Sequence, residues 1–173
     1  MITYQVGNLF SVSTPRIIAH GCNAQGKMGK GFARTLRFVY PKNYLHYLQC
    51  FNDPDGLKLG DALFCVQGCV HIANLITQEF YGQQSDTRYI SYEALAKTFE
   101  KLKRYHEVNP LEIHMPMIGH GLAGGELCEL IKIYHDSLYG LPVIIWVSNV
   151  QTLERIRDEC KRSGRDGHAR FCQ

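Results

Sequence analysis

The sequence has no apolar run long enough to cross a membrane: the longest, Val143 to Val147, falls far short of the roughly 20 residues a bilayer needs. Its opening, Met1-Ile-Thr-Tyr-Gln-Val6, lacks the basic-then-apolar pattern of a secretory leader. Cysteine is present, but not as a framework. Seven is an odd number, the spacing is irregular, and 173 residues can bury a core without cross-links. Reduced thiols in a cytoplasmic compartment are therefore expected. No repeat, low-complexity tract or shift of composition divides the chain. Nor is there a basic body. The net charge of +3 comes from residues 161–173, where Lys161, Arg162, Arg165 and Arg170 face only Asp166. The neutral remainder offers nucleic acid no general attraction. The tail is polar, contains glycine and lacks periodicity, and reads as a basic, frayed end after one domain spanning 1–160.

What is present is alternation. Hydrophobic residues make up 45% and charged residues 20%, as in ordinary globular chains. Short apolar runs predict strands at Ile2–Val6, Arg16–His20, Ala62–Val66, Val70–Ile76, Ile113–Ile118 and Val143–Ser148. Several are continuous rather than alternating, as in strands covered on both faces. Between them lie segments of helical period. Ser91 can cap a helix whose stripe is Leu95, Phe99 and Leu102, with Glu93/Lys97 on the wet side. Leu127, Leu130, Ile131, Tyr134 and Leu138 mark another, ended by Gly140 and Pro142. Leu153, Ile156 and Cys160 mark the last. An earlier helix is expected from about Lys27 to Tyr40, interrupted by Pro41. Strands alternating with helices predict an α/β fold with a mixed or parallel sheet.

Two glycine-rich loops carry the functional signal. One, His20-Gly-Cys-Asn-Ala-Gln-Gly-Lys-Met-Gly-Lys-Gly31, leaves a strand and opens a helix; Met117-Ile-Gly-His-Gly-Leu-Ala-Gly-Gly125 does the same later. In open α/β sheets ligands sit beyond the carboxyl ends of the strands, where glycine lets backbone N–H groups approach an anion. Tight turns alone would also account for either loop. Gly21 to Lys27 fits the start of a triphosphate loop, but Met28 stands where a magnesium-binding hydroxyl is required. Thioether sulfur is a poor ligand for a hard cation. Cys65, Cys69 and His71 lack a second pair with structural-zinc spacing, so no metal is assigned. Cys22 reads as a small core residue.

Four ordered motifs then coincide: Gly7-Asn8-Leu9-Phe10; Cys22-Asn23 leading to Gln25-Gly-Lys-Met-Gly-Lys-Gly-Phe-Ala33; Asn74-Leu-Ile-Thr-Gln78; and Pro116 to Gly125. Together they make the chain resemble a macrodomain over about residues 1–160. The Met-Gly-x-Gly segment is similar to the branch of the yeast-type ADP-ribose 1″-phosphate phosphatase and the terminal ADP-ribose protein glycohydrolases. The resemblance implies a three-layer α/β/α fold with a mixed, mostly parallel central sheet. It implies ADP-ribose or a phosphorylated derivative as ligand, with no cofactor and no membrane. Asn8, in place of the family's acid, and Leu9 would meet the adenine, which Ser148 and Asn149 would close over. Gly21, Cys22 and Asn23 would lie at the distal ribose, with Met28, Gly29, Lys30 and Gly31 wrapping it. Gly119, His120, Gly121, Leu122, Ala123 and Gly124 would cradle the diphosphate.

Departures from the family narrow the activity. The lysine nucleophile of the glycohydrolases is replaced by Gln78, and their assisting aspartate by Ala123, so the lysine route is absent. His120 remains, a group that can protonate a leaving ribose oxygen or hold a phosphate. Asp86 is the expected carboxylate partner, with Glu79 a rival. The leading expectation is metal-independent hydrolysis of the phosphate monoester of ADP-ribose 1″-phosphate. The alternatives are a reader without turnover and an ADP-ribosyl hydrolase using a water held at Asn23.

Overall fold

The computed structural model describes residues 1–82, 84 and 86–173. Among the described residues seven strands form one sheet: β1 (Ile2–Val6), β2 (Arg16–Asn23), β3 (Ala62–Gln67), β4 (Val70–Gln78), β5 (Ile113–Pro116), β6 (Val143–Val147) and β7 (Ala169–Cys172). Their order is β3-β4-β2-β5-β6-β1-β7. Every neighbouring pair is parallel except β3, which forms an antiparallel hairpin with β4. The helices are α1 (Gly31–Val39), α2 (Pro41–Asn52), α3 (Tyr92–Val108), α4 (Leu127–Leu138) and α5 (Val150–Arg162).

The continuous apolar strands are explained by cover on both faces. Along β2, Ile17 and Ala19 join the main core with Leu95 and Phe99 of α3, Tyr134 of α4 and Ile156 of α5. Ile18, pointing the other way, packs with Leu36 of α1. Tyr47 of α2 fills a further cluster with Cys22, Met28 and Ile76. The architecture is thus a three-layer α/β/α sandwich around a mixed, mostly parallel sheet.

Local chemistry fixes the element ends. The Ser91 hydroxyl accepts a hydrogen bond from Ala94 N–H at 3.2 Å, starting α3 as predicted. The helix expected from Lys27 begins only at Gly31, because the Asn23 side chain folds residues 25–27 into a turn. Pro41 does more than interrupt it. Tyr40 closes α1 and Pro41 occupies the first turn of α2, where its missing N–H costs no helical bond. β5 stops at Pro116 rather than Ile118. The largest difference is at the C-terminus: Lys161 and Arg162 finish α5, and Ala169–Cys172 pair parallel with β1 instead of fraying. Phe171 stacks on Tyr4 with ring centroids 5.5 Å apart. Pairing with β1, the Tyr4 ring and the Arg157 guanidinium 5.2 Å from the Phe171 ring centroid hold a segment that has no periodicity of its own.

Candidate functional site

The carboxyl ends of β2, β4 and β5 open into a cavity of about 790 Å³. Both glycine-rich loops face it. Gly21, Cys22, Asn23, Met28, Gly29, Lys30 and Gly31 line one side, and Gly119, His120, Leu122 and Ala123 another. Asn8, Leu9, Gly121, Gly124, Ser148, Asn149 and Asp86 lie outside that wall. Asn8 and Ser148-Asn149 follow β1 and β6, which pair in the sheet, so they share the neighbouring carboxyl edge of the sheet. There Leu9 is buried in the core, the Asn8 side chain accepts from Phe10 N–H, and Asn149 caps α5 by accepting from Thr152 N–H.

The first loop is built on Asn23. Its Nδ2 donates to the Lys27 carbonyl at 2.7 Å, and its Oδ1 accepts from Gln25 N–H at 3.0 Å and Lys27 N–H at 3.2 Å. Beneath it, the Tyr47 hydroxyl donates to the Asn23 carbonyl at 2.6 Å. Burial pushes that phenol well above its ordinary range, so it stays a donor. The floor is a buried polar cluster. His20 Nε2 lies 2.7 Å from Asn74 Oδ1, and Asn74 and Asn43 exchange amide bonds at 2.8 and 2.9 Å. Burial lowers His20 to about 4, so its imidazole is neutral at pH 7. Cys22 Sγ sits 3.5 Å from His20 Nε2, but burial raises the thiol well above its usual value. A neutral thiol beside a neutral imidazole is no nucleophile.

The second loop leaves β5 through Gly119, whose φ of +92° favours glycine. A Cβ there would stand 2.5 Å from Ile90 Cδ1 and 2.7 Å from Leu130 Cδ2. The segment before α3 clamps the loop: Tyr89 and Ile90 N–H groups donate to the Ala123 carbonyl at 2.9 and 3.1 Å. His120 precedes the short helical turn Gly121–Ala123, and its buried Nδ1 has no hydrogen-bond partner. Burial, then the nearby Arg155 charge, lowers its pKa. Asp86 is exposed at the start of the clamping segment and Glu79 is exposed after β4; neither lines the cavity.

Phe32 and Thr77 line the cavity from inside motifs that gave them no role, while Arg37, Tyr44 and Tyr81 had no signal in the sequence and reach it through the folding of α1, α2 and the segment after β4. Arg37 lies over the Tyr44 ring at 4.2 Å. Gln78 lines the cavity while its Nε2 donates to the Phe80 carbonyl at 2.8 Å. No described residues group three or more histidine, cysteine or acidic side chains in a metal-binding arrangement. No described helix is long and apolar enough to cross a membrane.

No protein-family model matches the chain. Individual proteins do. It is 30% identical over 133 residues to the ADP-ribose 1″-phosphate phosphatase of Candida albicans, covering 72% of this chain and 85% of that protein. The Debaryomyces hansenii protein of the same name is 29% identical over 153 residues, covering 70% and 86%. A macrodomain protein of Streptomyces coelicolor superposes with a TM-score of 0.71 at 27% identity, covering 86% of this chain and all (100%) of that one. The sheet order, the paired glycine loops and these similarities agree: the chain belongs to the macrodomain family, in the branch of the proteins named ADP-ribose 1″-phosphate phosphatase.

Proposed function

We propose that this protein binds ADP-ribose and hydrolyses the phosphate monoester of ADP-ribose 1″-phosphate. The observation that carries the reading is its similarity, across most of both chains, to proteins named for that reaction. The cavity supports it physically. Two glycine loops at strand ends suit a ligand with a polyol part and a diphosphate part, and a volume of about 790 Å³ falls in the range of small-molecule sites. Gln78 and Ala123 leave no lysine–aspartate pair for the glycohydrolase route.

In the proposed reaction, water forms a bond to phosphorus as the bond to the ribose C1″ oxygen breaks. That oxygen takes a proton, and ADP-ribose and inorganic phosphate leave. His120 is the proton donor. Burial and the Arg155 charge favour its neutral form in the free protein, and an arriving phosphate dianion favours the imidazolium form. We assign activation of the water to Asp86, which lies outside the cavity wall on the segment whose Tyr89 N–H donates to the Ala123 carbonyl. Holding ADP-ribose by its diphosphate on the second loop's N–H groups orients the ester for attack. We propose no metal: Met28 stands where a magnesium-binding hydroxyl would be needed, and thioether sulfur is a poor ligand for a hard cation.

The test is phosphate release from ADP-ribose 1″-phosphate, with and without a chelator, alongside calorimetric titration of ADP-ribose. Release that survives chelation and falls by about 100-fold or more in His120→Ala is expected for a general acid. With Asp86→Asn a comparable fall is expected. ADP-ribose binding without release would instead identify a reader.

A further inference from the structure

We infer that Lys27 and Lys30, with Arg37, form a separate anion subsite that takes a terminal phosphate on the distal ribose and selects phosphorylated ADP-ribose over ADP-ribose itself. This rests on the ADP-ribose-type ligand proposed above. The starting observation is a charge imbalance. Lys27, Lys30 and Arg37 all line the cavity, and among its described lining residues there is no aspartate or glutamate. The chain carries 16 acidic residues, and outside residues 161–173 its charges cancel, so a wall with cations alone does not follow from composition.

ADP-ribose leaves these cations unexplained. Its two charges are on the diphosphate, which the backbone N–H groups around Gly119 to Ala123 suit. In the placement that the family resemblance implies, the first loop faces the distal ribose, which is uncharged. Yet it is there that both lysines stand, beside the N-terminus of α1. Lys30 occupies the N-cap without a side-chain cap bond, and Gly31, Phe32 and Ala33 of the first turn line the same cavity. Unsatisfied N–H groups and lysine ammonium groups both favour an anion.

The loop is also held for this purpose. Asn23 grips Lys27 from both sides of its peptide, donating to its carbonyl at 2.7 Å and accepting from its N–H at 3.2 Å. That fixes the Lys27 backbone at the cavity wall, where the residue is exposed. Arg37 is braced on the Tyr44 ring, which shares the wall. A phosphate monoester adds close to two charges to an otherwise neutral sugar, which the lysine ammonium groups can meet with charge-assisted bonds.

The experiment measures affinity for ADP-ribose and for its non-hydrolysable 1″-phosphonate by calorimetry, at about 50 and 200 mM salt. Wild type should prefer the phosphonate by about tenfold or more, and this preference should shrink at the higher salt. In Lys27→Ser/Lys30→Ser the ratio of the two affinities should drop by about tenfold. Arg37→Gln should lower the ratio in the same direction. Both lysines are exposed, and circular dichroism with urea unfolding checks that the variants fold. Equal wild-type affinity for the two ligands, or a ratio unmoved by the lysine variant, overturns the subsite while ADP-ribose binding stands. Failure of both ligands to bind wild type overturns the ligand reading and the subsite together.

Discussion

Replacing Asn23 by alanine separates a loop-holding side chain from one that acts only on ligand. The substitution removes the 2.7 Å bond to the Lys27 carbonyl and the acceptor shared by the Gln25 and Lys27 N–H groups. Tyr47 is unaffected in the main, since its single hydroxyl proton is already committed to the Asn23 carbonyl at 2.6 Å rather than to Oδ1 at 3.2 Å. Three bonds at about 1 kcal/mol each give a loss of about 3 kcal/mol, reduced toward about 2 where water from the cavity reaches the freed groups. In urea, at about 2 kcal/mol per M, the midpoint should fall by about 1–1.5 M with the slope unchanged. The assay is equilibrium unfolding without ligand, so binding cannot contribute. Asn23→Asp sharpens it. A carboxylate retains the acceptor for Gln25 and Lys27 but opposes the Lys27 carbonyl, so its folded pKa is raised. Its deficit should therefore shrink as pH falls and protonation restores a donor. An Asn23→Ala protein within about 0.5 kcal/mol of wild type would refute the loop-holding account, because surface changes alone fall in that range.

Two further outcomes follow from the packing around the site. Gly119→Ala combines a φ of +92° with a Cβ placed 2.5 Å from Ile90 Cδ1, and both Ile90 and Leu130 are buried. Backbone strain of about 1–2 kcal/mol and overpacking of about 1–3 kcal/mol should appear together in urea unfolding, whereas a neutral result would mean the second loop is not set by that contact. His20, held at about 4 by burial against about 6.5 when unfolded, binds fewer protons in the native state across that window. Its contribution is present above pH 6.5 and is lost as pH falls through 4, by about 3 kcal/mol in all. His20→Gln should flatten the decline of stability between pH 6.5 and 4; an unchanged slope assigns it elsewhere.

The fold was legible where one residue type had one physical consequence. Continuous apolar strands meant two covered faces, and Ile17 and Ile18 do enter opposite cores. Ser91 meant a helix start. Pro41 was legible only in part: the same ring that ends α1 begins α2, and both outcomes satisfy a residue without an N–H. β7 had no local signature at all. Ala169 to Cys172 form a strand because β1 offers a free edge and Tyr4 a ring for Phe171, and neither condition is written in the segment itself.

For the site, the glycines announced the loops but not which side chains would meet between them. Asn23 was read from its family position as a group for ligand or water, yet most of its hydrogen-bonding capacity goes to Gln25 and Lys27. Of its two Nδ2 protons one remains for the cavity, so contact with a ligand and support of the loop are compatible in one amide. Arg37 could not be found by spacing, since it enters the wall from the end of α1 and is braced by a tyrosine of α2. Charge is the part of the site least visible in composition. The body of the chain sums to zero, and only folding segregates Lys27, Lys30 and Arg37 from every carboxylate along the described cavity wall. Such segregation places like charges together and costs self-repulsion in the empty cleft. A ligand bearing an extra phosphate relieves it and a neutral ribose does not, which is why the preference for the phosphonate should weaken with salt.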